Sequence, residues 1–270
     1  MSGWKLTLKQ VPALRVDLRS LSPAALAELS AADVARLGVW HGNEAITLGD
    51  LFTIAPHADG ELRLEGELSR FDRIGWQLAG GTVRVDGPAG DYLGAGMSAG
   101  EVVASGSAGL LAACEMSGGR LEIGGHAGDY AASALPGSMD GMRGGTLIVR
   151  GNAGARFGDR MRRGTAVIHG NAGDFVASRM VAGTVAVAGT VGAHPAYGMR
   201  RGTLLAVGTA PAVPPTFVGN NVDIGVFWQL LSRDLARHGG AFAGLPKRRP
   251  ARFLGDLAAG GKGELLTLNP

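Results

Sequence analysis

Two sets of side chains recur at a spacing that could serve chemistry. Asp91, Asp129 and Asp174 each follow an Ala-Gly pair: Ala89-Gly90, Ala127-Gly128 and Ala172-Gly173. Carboxylates facing one another could supply the general acid and base of a polysaccharide lyase or hydrolase. An aspartate after glycine also closes turns by accepting backbone N–H groups, and that role would serve every copy alike. The second set is basic: Arg143, Arg162 and Arg200, then Arg163 and Arg201 directly behind the last two, with Arg160 and Arg179 each one residue before a methionine. Guanidinium forks match carboxylates, so these seven are candidate anion-binding residues. The competing reading is a solvated edge whose charges discourage sheet pairing.

Little else in the chain has the form of a reactive site. The six histidines (His41, His57, His126, His169, His194, His238) include no pair at metal-ligand spacing, and there is no Cys-x-x-Cys, so no metal is expected. Cys114 has no recognisable base near it in sequence, and no nucleophile elbow occurs. Catalysis by this protein alone is not expected, and no catalytic residue is assigned.

The elements that must position the arginines and aspartates come from one repeated stretch. Its opening glycines are Gly81, Gly100, Gly119, Gly145, Gly164, Gly183 and Gly202, spaced 19 apart except for one interval of 26, which places a seven-residue insertion around Ser133–Met139. A fixed period near 20 is the mark of a stacked architecture. Val83 and Val85, Leu121 and Ile123, Leu147 and Val149, and Val185 and Val187 alternate with mostly polar or variable neighbours, the pattern of a strand with one buried face. Met97, Met116, Met142, Met161, Met180 and Met199 form one column, and Ala89, Ala108, Ala127, Ala153 and Ala172, followed by Val191, form another. Flexible apolar thioethers suit gap-filling in an interior. The expected fold is an all-β solenoid: a right-handed parallel β-helix of about seven to eight 19-residue coils, with small α-helical N- and C-terminal flanks. Coil length favours the right-handed form, since left-handed hexapeptide helices need a multiple of six, and no residue proves it.

Three segments are expected: a strand/helix cap over 1–59, the repeat over 60–210, and a helical region with a tail over 211–270. Residues 1–20 alternate. Ser22-Pro23 and Ser30 open helical stretches ending near Gly38, Ile46 to Ile54 resumes sheet, and 60–66 is an irregular first coil. Phe217–His238 reads as a helix stopped by Gly239-Gly240. The 46 glycines among 270 residues are periodic, the net charge of +3 is too diffuse for a nucleic-acid surface, and charged residues are only 18% of the total. A single cysteine fits a reducing cytoplasm. Met1 to Leu6 lacks a charged start leading to an apolar run, so no signal peptide is read, and no apolar run is long enough to span a membrane.

Gly87, Gly90 and Gly94, and again Gly151, Gly154 and Gly158, spell Gly-x-x-Gly-x-x-x-Gly, with Ala113, Ala132, Ala177 and Ala196 replacing the last glycine elsewhere. This resembles the glycine-repeat β-helix found in the C-terminal domain of large-type glutamate synthase and in the C subunit of formylmethanofuran dehydrogenase. The flanks favour the latter: Ser22-Pro23, Gly42-Asn43 leading to Leu48-Gly49-Asp50-Leu51-Phe52, and the tail from Gly255-Asp256-Leu257-Ala258 to Gly260-Gly261-Lys262-Gly263-Glu264. Composition points to the bacterial branch, the formyltransferase/hydrolase complex of methylotrophs. The resemblance implies a non-catalytic subunit of a complex that moves a formyl group from formyltetrahydromethanopterin to a methanofuran-type carrier and hydrolyses it to formate. Its partners would be the other subunits, with neither nucleic acid nor membrane involved. The glutamyl carboxylates of the carrier would be ligands for the seven arginines. The alternatives are the C subunit of formylmethanofuran dehydrogenase proper and a β-helix enzyme acting on an anionic polymer.

Overall fold

The computed structural model describes residues 3–268; the two positions at each end of the sequence, Met1 and Ser2 among them, lie outside it. The N-terminal segment runs β1 (Gly3–Leu8), β2 (Val16–Asp17), α1 (Pro23–Leu26), α2 (Ala31–Arg36), β3 (Gly38–His41), β4 (Glu44–Thr47), α3 (Leu48–Leu51) and β5 (Phe52–His57). Ser22 Oγ accepts the Ala25 N–H to start α1, and Ser30 and Asp33 satisfy each other's backbone N–H groups to start α2. Leu48–Leu51 is a helical turn, not resumed sheet, because the Asp50 carboxylate accepts both the N–H and the hydroxyl of Thr47 and winds the backbone there. Trp4 Nε1 donates to the Leu26 carbonyl at 2.9 Å, tying α1 to β1.

The repeat supplies β6 (Leu62–Glu65), β7 (Phe71–Asp72), β8 (Ala79–Asp86), β9 (Ala99–Ala104), β10 (Arg120–Ile123), β11 (Arg143–Val149), β12 (Arg163–Ile168), β13 (Thr184–Val187) and β14 (Thr203–Ala206). Apart from β7, these pair in parallel: Leu62, Val83, Val102, Leu121, Leu147, Ala166, Val185 and Leu204 lie opposite one another in turn. Register survives the insertion because the extra residues loop out before Met142, leaving Met139 exposed. The alanine column pairs again, from Leu68 through Ala89, Ala108, Ala127, Ala153 and Ala172 to Val191. All six column methionines are fully buried.

Between strand and alanine columns the backbone turns through left-handed conformations, and many of those residues are not glycine. Tyr92, Leu111, Tyr130, Arg156, Phe175 and His194 share one column with φ between 54° and 62°. Each non-glycine residue there costs roughly 1–2 kcal/mol. Bonds to the next repeat oppose that strain, such as Tyr92 N–H to the Leu110 carbonyl (2.8 Å) and Arg156 N–H to the Asp174 carbonyl (2.7 Å).

After the repeat come β15 (Val218–Gly219), α4 (Gly225–Ala236), β16 (Pro250–Gly255) and β17 (Gly263–Leu268). The helix expected from Phe217 thus begins eight residues later. Val218 and Gly219 pair with Leu254 and Phe253, and the side chains of Asn220 and Asp223 accept the N–H groups of Val222 and Gly225, turning the backbone first. The tail beyond that helix is largely strand: β17 adds in parallel to β14, with Leu204 opposite Leu265, and β16 pairs antiparallel to β17. The result is a mostly parallel sheet of 13 strands beside a four-stranded sheet of β4, β3, β2 and β7. Interior side chains from Trp4 to Leu265 form one core. A second lies on the opposite face of β12, β13, β14 and β17, where Val167, Ala186, Leu205 and Leu266 receive Trp228 and Leu235 of α4 together with Phe242 and Leu245.

Candidate anion-binding edge

The aspartates are committed to the backbone, but to the next repeat and not to their own turn. Asp72, Asp91, Asp129 and Asp174 each place Oδ1 2.7–2.9 Å from the N–H of Asp91, Leu110, Ala155 and Ala193 respectively. A parallel ladder uses Ser107 Oγ, His126 Nδ1, Asn152 Oδ1 and Asn171 Oδ1, accepting from His126, Asn152, Asn171 and Thr190 at 2.8–2.9 Å. These residues satisfy backbone donors that the inter-repeat pairing leaves over. The second ladder was not read from the sequence, although its members share one repeat position, because serine, histidine and asparagine share an acceptor and not a residue type.

The arginines fall into adjacent columns. Arg143, Arg162 and Arg200 donate backbone N–H to the carbonyls of Met116, Met142 and Met180 at 2.7–2.8 Å, so the methionine column fixes where each arginine leaves the sheet. Arg163 pairs with Arg143 across β11 and β12. Arg160 and Arg179 sit at left-handed corners, φ 59° and 52°. The stripe is interrupted, since Val181 occupies the column between Arg162 and Arg200, its N–H on the Met161 carbonyl.

Three of the seven already hold an anion from within the protein. Asp159 is 4% exposed; its Oδ1 accepts from Ser178 Oγ (2.6 Å) and Arg179 Nε (2.9 Å), and its Oδ2 from Arg179 Nη2 (2.5 Å). The bond to Asp159 holds the Arg179 guanidinium above its ordinary pKa. Arg160 Nε lies 3.9 Å from the same carboxylate, and Arg162 Nε lies 2.5 Å from Asp140. Arg143, Arg163, Arg200 and Arg201 are exposed and make no ion pair among the described residues. Those four are the members of the set without an ion pair of their own.

A further basic cluster, not anticipated, fastens α4 to the sheet. Arg150 bonds Glu122 through Nε (2.7 Å), His169 Nε2 through Nη1 (3.0 Å) and the His238 carbonyl (3.3 Å). Burial first, then the Arg150 charge, pushes the His169 pKa down, and burial likewise lowers that of His238. Both imidazoles therefore resist protonation in the fold. The unfolded state takes up those protons below about pH 6.5, so stability present above that pH is lost as pH falls toward the lower folded values. The thermal midpoint is expected to fall between about pH 7.5 and 5.5, and to fall less in His169→Gln.

No family model matches this sequence. A stretch of 79 residues is 45% identical to the C subunit of the formyltransferase/hydrolase complex Fhc of Methylorubrum extorquens, covering 29% of this protein and 30% of that one. Another of 100 residues is 33% identical to the C subunit of the tungsten-containing formylmethanofuran dehydrogenase 2 of Methanothermobacter thermautotrophicus, covering 35% and 37%. These matches span about a third of each curated relative. The fold is matched over its whole length. One polypeptide of the X-ray structure of the formyltransferase/hydrolase complex (FhcABCD) from Methylorubrum extorquens in complex with methylofuran superposes with TM-score 0.92 at 42% identity, over 98% of this protein and 100% of that one. A parallel sheet built from 19-residue repeats, its polar ladders bonded to its own backbone, defines a repeat protein. Within that class, the protein belongs to the family of Fhc C subunits.

Proposed function

We propose that this protein is the structural, non-catalytic C subunit of a cytoplasmic formyltransferase/hydrolase complex. That complex carries a formyl group from formyltetrahydromethanopterin through a methanofuran-type carrier to formate, and the other subunits are this protein's partners. The observation that carries the reading is full-length likeness, at 42% identity, to one polypeptide of a complex crystallised with methylofuran. The commitment of the recurrent aspartates to backbone N–H groups supports a role without chemistry of its own. Among the described residues, no helix is long and apolar enough to cross a membrane.

The finer fold belongs to the same proposal: a right-handed parallel β-helix of seven to eight coils over 60–210, flanked by a cap over 1–59 and the segment 211–270. Support comes from two pairing columns in every period, at the strand and at the alanine, with left-handed corners between them. Two meetings with the neighbour per 19 residues are what a closed coil would require.

The carrier's glutamyl carboxylates would meet Arg143, Arg163, Arg200 and Arg201. Purification of the tagged protein from its native host is expected to bring down the remaining subunits with bound carrier. Replacing those four arginines with glutamine should leave the subunits in place and reduce retained carrier several-fold. Recovery of the tagged protein alone would overturn the assignment to the complex, and full carrier retention would overturn the anion site.

A further inference from the structure

The end of β5 and the connection to β6 gather His57, Asp59 and Glu61, with one ligand atom from each lying within 4.8 Å of the others. His57 Nε2 is 3.5 Å from Asp59 Oδ2 and 3.5 Å from Glu61 Oε1. That nitrogen is the one buried side-chain polar atom without a hydrogen-bond partner among the described residues. Buried polar atoms are seldom left so, and 3.5 Å is long for a bond to a carboxylate. It is the separation expected of two ligands sharing a tetrahedral ion: bonds of about 2.0–2.2 Å put neighbouring ligand atoms roughly 3.3–3.6 Å apart.

The surroundings fit the same reading. Glu61 is 7% exposed, and its Oε2 is held by Arg84 Nε at 2.7 Å, which leaves Oε1 turned to His57. Against it stands Arg63, whose Nη1 is 3.8 Å from Oε1, beyond hydrogen-bond reach, and which an ion must displace from that oxygen. Asp59 is exposed and lines a cavity of about 870 Å³ between α1 and the start of β8, so water can complete the coordination. An imidazole among two carboxylates selects ions of the zinc type over magnesium or calcium. The sequence reading missed the set because it looked for paired histidines or cysteines, and here the second and third donors are carboxylates two and four residues on.

We propose that His57, Asp59 and Glu61 form a binding site for one divalent transition-metal ion of the zinc class, fastening the first turn after β5. The test is calorimetric titration of the metal-stripped full-length protein with zinc chloride at neutral pH. One saturable equivalent is expected. Asp59→Asn, at an exposed turn position where folding is not at stake, should weaken binding by more than ten-fold, and His57→Gln should remove it. Arg84→Gln, which frees Glu61 to turn away, should weaken it about ten-fold. Failure of the wild-type protein to take up a saturable equivalent, or equal affinity in Asp59→Asn, would overturn the proposal.

Discussion

Gly106→Ala is expected to abolish recovery of folded protein, whereas Gly80→Ala, in the same repeat architecture, leaves it intact. A Cβ at Gly106 would lie 2.6 Å from Pro88 N, 2.7 Å from Gly87 C and 2.7 Å from Gly87 O. All three are backbone atoms of the preceding repeat, and none can rotate away. Gly106 N–H donates to the Gly87 carbonyl at 3.0 Å, and its own carbonyl accepts from Gly125 at 2.9 Å. Relief of the clash therefore breaks bonds on both sides and propagates through the column. We expect a cost beyond about 4 kcal/mol, the range of exceptional single substitutions. A Cβ at Gly80 meets nothing within 4 Å and its φ is ordinary, so alanine there should cost no more than about 0.5 kcal/mol. The yield of folded protein separates the two variants, and recovery of folded Gly106→Ala with the denaturant midpoint of Gly80→Ala would refute the close approach of successive repeats.

Asp159→Ala should cost about 2–3 kcal/mol, most of it through Ser178. The Ser178 side chain is fully buried, and its hydroxyl would lose its acceptor, a loss of about 1–3 kcal/mol. Arg179 loses a two-point partner as well, but its side chain is 41% exposed and water takes over much of that role. The full 3–5 kcal/mol of a broken buried pair is therefore not reached. The double-mutant cycle makes this sharp: Ser178→Ala should destabilise the wild-type protein by about 1 kcal/mol, and the Asp159→Ala variant hardly at all. If Ser178→Ala costs the same in both backgrounds, the buried bond is not what holds this corner.

Much of the fold was legible because it repeats. The 19-residue register, the methionine column and the alanine column depend only on identical residues recurring, and each appears as a row of pairings or buried side chains. Legibility failed where one copy departs from its column. Asp159 stands where the other copies have Ala95, Cys114, Ser133, Ser178 and Tyr197, so its capture of Arg179 left no periodic trace, and the arginine stripe looked freer than it is. The helix–sheet contact did leave a trace. Outward positions that carry Arg84 and Glu122 early in the repeat become Val167, Ala186 and Leu205 where α4 covers the sheet. The addition of β17 to β14 was hidden because 61 residues separate Leu204 from Leu265, and no local pattern encodes so distant a pairing. The left-handed corners at Tyr92, Leu111 and Tyr130 were equally hidden, since sequence rules assign such corners to glycine.

The proposed role, with no chemistry of its own, leaves the subunit to work only through what it touches. The deciding measurement compares formyl transfer and formamide hydrolysis by the purified, partner-free protein with the same activities of the assembled complex. The expected result is no turnover by the isolated protein and full turnover by the complex. Turnover by the partner-free protein, abolished by a point substitution within it, would contradict a purely structural role.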